Sequence, residues 1–283
     1  MPEQPSDTGL VYDHRYHAGN HGDVWKHVAL LSLLHHARED ETVLETHAGE
    51  GAYALGSTGE WTAGVGAVAA SATREGATGS TGVDRWLSRL RRLSRGHDRF
   101  YPGSPMFSLD ALPRDGRMIL HEKSDQAVAA LRRAVAGDTR ARIVHGDGWR
   151  VMDVLPTTPS TLVIDPPFAA KDEWQTTTDV IAAVVAKSKL TRVLLWYPVK
   201  RWARPNALHD RLRAAGVPFV AIDLVVTPME IERRALNGSG VLLIGAPESV
   251  VVELHAAAAV LGARMATHDG RWSMRTLATT VRP

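Results

Sequence analysis

The sequence predicts an α/β fold of the Rossmann-like type: a mostly parallel, seven-stranded sheet covered by helices. Seven short apolar runs rich in β-branched residues recur along the chain, and stretches with apolar residues at helical spacing separate most of them. Near-continuous hydrophobicity is typical of strands buried on both faces. Alternation of such strands with helices indicates a parallel sheet, whose active site lies beyond the carboxyl ends of the strands.

The first predicted element is a helix before the first strand. Asn20 and Asp23 are its candidate caps, and its apolar face runs on towards His36. The predicted strands are residues 42–45, 117–120, 142–144, 161–164, 192–195, 219–222 and 240–244. The later predicted helices are residues 127–135, 174–185, 208–215 and 251–261.

One long interruption separates the first two strands. It contains a segment rich in Gly, Thr and Ser at 76–82 and a helical stretch at 84–95, so residues 54–101 are predicted to form an inserted helical subdomain. All 283 residues are expected to form one domain, in which residues 1–40 are an amino-terminal motif and helix.

The composition narrows the class of protein. The 33 basic and 31 acidic residues give a net charge of +2, which by itself predicts no polyanionic partner. The absence of cysteine excludes disulfides and thiolate metal sites. The amino terminus does not resemble a signal peptide, and no apolar run approaches the ~20 residues of a membrane span. We therefore expect a soluble, cytoplasmic protein with no membrane contact.

The strongest motif ends the fourth predicted strand at a carboxylate, in the order Asp165-Pro166-Pro167-Phe168. The two prolines remove backbone donors and fix φ, so the strand stops there and a carbonyl faces outward. A carboxylate and a carbonyl that accept the two N–H bonds of an adenine amine favour a nucleophilic nitrogen, and Phe168 would stack on the base. The motif predicts methylation of an adenine N6 amine, although a strand ending in a rigid turn with a solvated Asp is the simpler interpretation.

Three more strand ends carry polar residues that suit a nucleotide-like cofactor. The first strand leads into a glycine turn at Gly49 and Gly51, which lets a cofactor approach the backbone. Glu122 ends the second strand and is suited to ribose hydroxyls, and Asp147 follows the third strand and is suited to an adenine amine. Because the ends of parallel strands share one edge of the sheet, these residues are expected to form one crevice with Asp165.

A nicotinamide-dependent oxidoreductase is a competing hypothesis from another class. Gly49, Gly51 and Ala54 formally match the dinucleotide fingerprint, but that fingerprint expects a ribose-binding acid about 20 residues on, and the next strand here is much farther downstream. The sequence also leaves open an adenine-N6 DNA methyltransferase and a non-catalytic RNA-binding protein.

Five blocks of the sequence resemble the RlmJ family of 23S rRNA adenine-2030 N6-methyltransferases. They are Tyr12-x-His14-x-x-His17-Ala-Gly-Asn-His21-x-Asp-Val-x-Lys26-His27, Thr46-His47-Ala-Gly-x-Gly51-x-Tyr53, Tyr101-Pro-Gly-Ser104-Pro, Asp165-Pro-Pro and Leu195-Trp-Tyr-Pro198. The resemblance continues through Asn237-Gly-Ser239-Gly240 and so covers nearly the whole chain.

The resemblance implies a class I methyltransferase fold that uses S-adenosylmethionine to form N6-methyladenosine in 23S rRNA. It implies cofactor contacts for Lys26, His27, His47, Gly49, Ser104, Glu122, Asp147, Gly148 and Asp165. Asp165 is the implied catalytic acceptor, and the implied substrate contacts are Tyr12, His14, Pro166 and Phe168. We expect a monomer with no protein partner.

The chain departs from the family pattern at two positions. Phe168 stands where the family usually has tyrosine, which keeps the stacking face and loses a hydroxyl. The family's Glu-Leu-His-Pro is here Glu122-Lys-Ser-Asp, so the role of Glu122 rests on its spacing to Asp147.

Two further features are candidate binding surfaces. His14, His17, His21 and His27 are histidines of the amino-terminal segment, but without cysteine or a His-Glu-x-x-His motif we predict no metal site. Within the insertion, Arg85, Arg89 and Arg92 share one helical face, with Arg91 and Arg95 beside it. This arginine stripe can follow an RNA backbone or can be a solvated face, and both interpretations stay open.

Overall fold

The structure is a computed structural model that describes residues 17–75, 77–97, 99–231 and 236–279. In chain order its elements are α1 (His21–Leu34), β1 (Thr42–Glu45), β2 (Ala52–Ala54), α2 (Val65–Glu75), α3 (Thr81–Ser94), β3 (Phe100–Pro102), α4 (Ser104–Ala111), β4 (Arg117–Glu122), α5 (Asp125–Ala134), β5 (Ala141–His145), β6 (Ser160–Ile164), α6 (Glu173–Lys187), β7 (Thr191–Val199), α7 (Ala203–Ala214), β8 (Val220–Val225), β9 (Gly238–Ile244), α8 (Glu248–Met265) and β10 (Ser273–Ala278). Short 3-10 helices span Glu60–Thr62 and Gly148–Asp153.

The main sheet confirms all seven predicted strands but is larger and more mixed than predicted. Within the described ranges it has eight strands in the order β10-β8-β9-β7-β6-β1-β4-β5. Strands β5, β4, β1, β6 and β7 are mutually parallel, whereas β9 is antiparallel to β7 and β8, and β10 is antiparallel to β8. The prediction of a seven-stranded sheet is therefore wrong in strand number. The eighth strand lies at the edge and alternates between exposed and half-buried residues, so it lacks the apolar run of a central strand.

Helices cover both faces of the sheet because alternate strand residues point to opposite sides. One core joins Val43 and Leu194 to helices α1, α3, α4 and α8, and the other joins Leu44 and Leu195 to α6 and α7. Asn20 caps α1 as predicted, since its side chain accepts the backbone N–H of Asp23 at 3.0 Å.

The insertion between β1 and β4 begins and ends on a small antiparallel pair. Strand β2 pairs with β3 directly after the glycine turn, and the backbone N–H of Gly103 donates to the carbonyl of Gly51 at 2.8 Å. The chain therefore returns to the turn before α4 starts at Ser104. Buried Trp86 of α3 belongs to the same core as Val28 of α1 and Leu254 of α8. Helices α2 and α4 were not predicted.

The parallel strands place four loops at one edge of the sheet. The glycine turn follows β1, Glu122 ends β4, Asp147 follows β5 and Asp165 follows β6. This edge is the one at which open α/β sheets bind their ligands.

Candidate active site

Asp165 follows the buried strand β6 and is held by a lysine from the amino-terminal helix. The Lys26 ammonium donates to Asp165 Oδ2 at 2.6 Å and to Asp23 Oδ1 at 2.8 Å. Burial raises the pKa of Asp165, and the positive charge of Lys26 opposes that rise. Burial also acts to lower the pKa of Lys26, but Asp165 and Asp23 outweigh it and hold the pKa well above its usual value. The lysine therefore stays charged and neutralises part of a mostly buried acidic pair.

Phe168 adopts a backbone conformation that is unfavourable for an aromatic residue. Its φ is 51°, in the left-handed region, and its ring lies 4.3 Å from the ring of Trp174. Non-glycine residues pay an energetic cost in this region, and such outliers are frequent in active sites. The turn after Pro166 and Pro167 thus holds a half-exposed aromatic ring next to Asp165.

Glu122 is bound to the backbone of two loops. Its Oε2 accepts the N–H of Gly49 at 2.9 Å, and its Oε1 accepts the N–H groups of Lys123 and Ser124, each at 2.9 Å. Gly49 has a φ of 63°, which favours glycine in the turn. The carboxylate joins the end of β4 to the glycine turn, and Oε2, which accepts one of these bonds, keeps a further lone pair for another donor.

The loop after β5 packs directly on the loop after β1. A side chain at buried Gly148 would lie 1.7 Å from the carbonyl oxygen of Thr46, so only glycine fits. Asp147 is exposed and accepts the N–H of Trp149 at 3.0 Å. The ring of His47 lies edge-on to Trp149 at 4.9 Å, and burial lowers the pKa of His47 to about 4. The structure thus brings together His47, Asp147 and Gly148, three residues for which the family resemblance implies cofactor contacts.

His27 and Ser104 lie deeper on the insertion side of the glycine turn. His27 Nδ1 is 2.8 Å from the hydroxyl of Tyr101, and burial lowers the pKa of His27 to about 3, so its ring is neutral. Its buried Nε2 has no hydrogen-bond partner among the described residues. An unsatisfied buried nitrogen is costly, and a polar group of a bound molecule can satisfy it.

Glu45 is a site residue that was not predicted from the sequence. It is 1% exposed at the end of β1 and accepts hydrogen bonds from Ser104 at 2.7 Å and from Ser108 at 3.0 Å. Burial raises the pKa of Glu45 to about 7, and the two serine hydroxyls oppose that rise. The signal that could have identified it is the same as for Asp165, since both acids stand where an apolar strand stops.

The segment that precedes α1 contacts the insertion. His17 and Asn20 both contact Glu60 of the insertion, at 3.0 and 2.9 Å. Gly19 donates its backbone N–H to Asp23 Oδ2 at 2.9 Å. The segment is thus connected to the Lys26–Asp165 pair through Asp23. Tyr12 and His14, the predicted substrate contacts, lie outside the described residues.

The structure weakens the oxidoreductase hypothesis further. A dinucleotide fingerprint requires the glycine turn to open a helix whose amino terminus binds the pyrophosphate. Here Gly51 leads into strand β2 instead, and the insertion separates the turn from α4.

Within the described ranges, no group of three or more His, Cys, Asp or Glu side chains could hold a metal ion.

The arginine stripe is largely engaged within the protein. Arg85 forms an ion pair with Glu253 of α8, and both Arg89 and Arg92 form ion pairs with Asp110 of α4. The side chains of Arg85 and Arg89 are 18% and 22% exposed, whereas that of Arg92 is 61% exposed. These ion pairs connect α3 to α4 and α8. The structure therefore supports neither the interpretation that the stripe binds RNA nor the interpretation that it only faces solvent.

The chain is similar to known methyltransferases. The family model described as "Ribosomal RNA large subunit methyltransferase D, RlmJ" matches residues 39–278. The chain belongs to the RlmJ family. It is 31% identical over 252 residues to ribosomal RNA large subunit methyltransferase J of Escherichia coli (strain K12), covering 84% of this chain and 88% of the relative. Its identity to the Haemophilus influenzae protein of that name is 27% over 259 residues, covering 87% and 90%.

A solved structure shares the fold of this chain. A crystal structure of a protein from Legionella pneumophila str. Philadelphia 1 superposes with a TM-score of 0.84 at 25% identity, covering 93% of this chain and 98% of the other. Membership of the RlmJ family implies S-adenosylmethionine as the methyl donor. None of the helices in the described part of the chain is long and apolar enough to span a membrane.

Proposed function

We propose that this RlmJ family protein transfers a methyl group from S-adenosylmethionine to the exocyclic N6 of an adenine in large-subunit rRNA. By family resemblance the target is position 2030 of 23S rRNA. The observation that carries the proposal is the Asp165 carboxylate at the sheet edge, paired with Lys26 and followed by two prolines and a left-handed Phe168. This combination suits an adenine amine, which needs an acceptor for its N–H bonds and a flat surface for its ring.

Asp165 acts in this proposal as the acceptor of the amine. Lys26 occupies its Oδ2, so Oδ1 is the oxygen that accepts an N–H of the base. Lys26 also favours the ionised carboxylate against the effect of burial, and only that form is an acceptor on both oxygens. Accepting the N–H bond increases the electron density available at nitrogen and provides a base for the proton that must leave.

Phe168 positions the base. Its ring packs against Trp174, so the aromatic surface that meets the adenine has support from behind. Stacking holds the amine in line with the methyl group, which is a contribution of orientation rather than of charge. Pro166, which is buried, fixes the chain between the carboxylate and the ring.

The cofactor occupies the edge formed by the glycine turn, β4 and β5. S-adenosylmethionine supplies an electrophilic methyl group on a sulfonium. Glu122 would accept the ribose hydroxyls, Asp147 the adenine amine, and the buried Nε2 of His27 would gain the partner it lacks. Further cofactor contacts are proposed for Lys26, His47, Gly49, Ser104, Gly148 and Asp165 itself. Tyr12 and His14 are proposed to contact the RNA.

Methyl transfer to defined nucleic acids tests the proposal directly. The protein is incubated with labelled S-adenosylmethionine and either unmodified 23S rRNA or duplex DNA, and the product is digested to nucleosides. We expect labelled N6-methyladenosine from the rRNA alone, and no label with Asp165→Ala. Label in DNA would favour the DNA methyltransferase, and NAD(P) binding without affinity for S-adenosylmethionine would favour the oxidoreductase.

A further inference from the structure

A cavity opens at the carboxyl edge of the sheet, beyond β7 and β8. It has a volume of about 370 Å³ and is lined by Lys200, Arg201, Trp202 and Met229. Lys200 and Arg201 are exposed, and Trp202 and Met229 are half-buried. The lining thus combines two cations with an indole and a thioether and contains no carboxylate. The volume lies within the range of small-molecule sites, about 300–1,000 Å³.

Trp202 is held in one orientation by the edge strand β10. The guanidinium carbon of Arg275 lies 3.7 Å from the centroid of the Trp202 ring. Arg275 also donates to Asn206 Oδ1 at 2.8 Å and, through Nε, to Asp223 Oδ2 at 2.8 Å. A cation over an indole face is a favourable contact, and here the cation is itself fixed by two partners.

The anchor of Arg275 is a carboxylate with no solvent access. Asp223 lies in β8 at 0% exposure, and it also accepts a hydrogen bond from the hydroxyl of Tyr197 at 2.5 Å. Burial of an acid is unfavourable unless it is paired, and Arg275 and Tyr197 are the partners of Asp223. Tyr197 of β7 is 0% exposed, so its ring lies in the core.

Packed aromatic rings lead from the active site to β7, the strand after which the cavity residues Lys200, Arg201 and Trp202 follow. Strand β7 is the direct neighbour of β6, after which Asp165 stands. The ring of Trp174 contacts both Phe168 at 4.3 Å and Tyr197 at 6.5 Å. Phe168, Trp202 and Met229 all pack against the same core. The cavity therefore lies on the substrate side of Asp165, away from β4 and β5, where the cofactor residues stand.

We propose that this cavity is a subsite for a nucleotide adjacent to the target adenine in single-stranded RNA. The neighbouring base would seat against Trp202 and Met229, and its phosphate would pair with Lys200 or Arg201. The inference rests on the proposed function. An enzyme that modifies a base takes it out of its stack, and aromatic surfaces with nearby cations hold the unstacked strand. Trp202, fixed by Arg275, is a rigid surface of this kind.

The cationic half of the proposal is tested by salt dependence. In Lys200→Gln with Arg201→Gln, both exposed, RNA affinity is expected to fall, and the slope of log affinity against log salt should flatten by roughly 0.7 per lost contact. The matched control is Arg117→Gln with Lys189→Gln, which removes the same charge at the opposite edge of the sheet, at the start of β4 and just before β7. An equal change in both pairs would overturn the proposal, because it would show non-specific attraction.

The stacking half is tested by a double-mutant cycle. The wild-type protein first locates its methylated adenosine in a short rRNA fragment, and abasic nucleotides then replace each neighbour in turn. One abasic position is expected to lower affinity by roughly 5- to 150-fold, the contribution of one stacked base, and Trp202→Leu is expected to abolish that difference. Additive losses at every position would overturn the subsite. Absence of methylation by the wild-type protein would instead refute the proposed function.

Discussion

Replacing Glu122 by glutamine tests whether one carboxylate holds both the glycine turn and the cofactor. Both carboxylate oxygens accept backbone N–H groups, one from Gly49 and the other from Lys123 and Ser124. Glutamine offers one oxygen, and its amide group would face an N–H donor on the other side. If the oxygen faces the two N–H groups of the β4–α5 loop, the bond to Gly49 is lost.

Loss of the bond between Gly49 and residue 122 should cost about 1.5–3 kcal/mol, the typical contribution of a hydrogen bond to a charged group. Because Gly49 belongs to the turn on which the cofactor is proposed to lie, we expect the dissociation constant of S-adenosylmethionine to rise by roughly 10- to 150-fold. Isothermal titration calorimetry measures the affinity, and a thermal melt of the same sample shows whether the fold is intact.

The control is Asp125→Asn, which removes the same charge three residues away. The side chain of Asp125 is 95% exposed, so its loss should leave cofactor affinity unchanged. Wild-type affinity in the Glu122 variant would refute the reasoning and would assign the ribose hydroxyls to another residue. Equal losses in the two variants would instead indicate a long-range effect of net charge.

Four further predictions test separate parts of the structure. Asp165→Ala is expected to lower the single-turnover rate by about 10²–10⁴-fold while calorimetry shows only a few-fold change in S-adenosylmethionine affinity, and unchanged turnover contradicts the mechanism. Phe168→Tyr should leave RNA affinity nearly unchanged, whereas Phe168→Ala should weaken RNA binding by about 1–3 kcal/mol, the contribution of one stacked base. Equal RNA affinity of Phe168→Ala and the wild type would exclude stacking. Arg85→Gln with Arg89→Gln should lower the free energy of unfolding by about 1.5–3 kcal/mol per lost charged bond. The slope of log RNA affinity against log salt should not change. A flatter slope in a variant of wild-type stability would instead support the hypothesis that these arginines bind RNA. Burial raises the pKa of Glu45 from 4.5 to about 7, so the folded state favours the protonated acid and stability should fall as pH rises through that window. Urea denaturation at pH 5 and pH 8 should show the wild type losing stability relative to Glu45→Gln as the pH rises. The comparison is made between the two proteins because His27 and His47, whose lowered pKa values act in the opposite direction, are present in both.

Most of the sheet could be predicted because its strands are buried on both faces. Residues 161–164 and 192–195, for example, are predominantly apolar, and burial on both faces requires this of any central strand. Strand β10 has a different environment, since one edge and much of its surface face solvent. Its residues include Arg275 and Thr276, so no periodic apolar signal marks it.

The functions of charged residues were harder to predict because they depend on partners far away in the chain. The stripe of Arg85 and Arg89 was correctly seen as one helical face, but Glu253 lies 168 residues from Arg85. Whether such a face meets solvent, RNA or an acid is decided by what packs on it. The same holds for Lys26: the family resemblance assigned it only to the cofactor site, and its contact with Asp165 spans 139 residues.

By itself, the sequence determined the strand–helix order, the glycine turn after β1 and the carboxylate with its prolines after β6. These features depend on local chemistry: burial requires apolar residues, a tight turn requires glycine, and proline ends a strand wherever the chain goes next. Only the tertiary structure decided that Lys26 reaches Asp165, that Glu45 is buried between two serines and that Arg275 of an added strand fixes Trp202. Ion pairs and ring contacts act over a few ångströms, and folding alone brings such distant residues within that range.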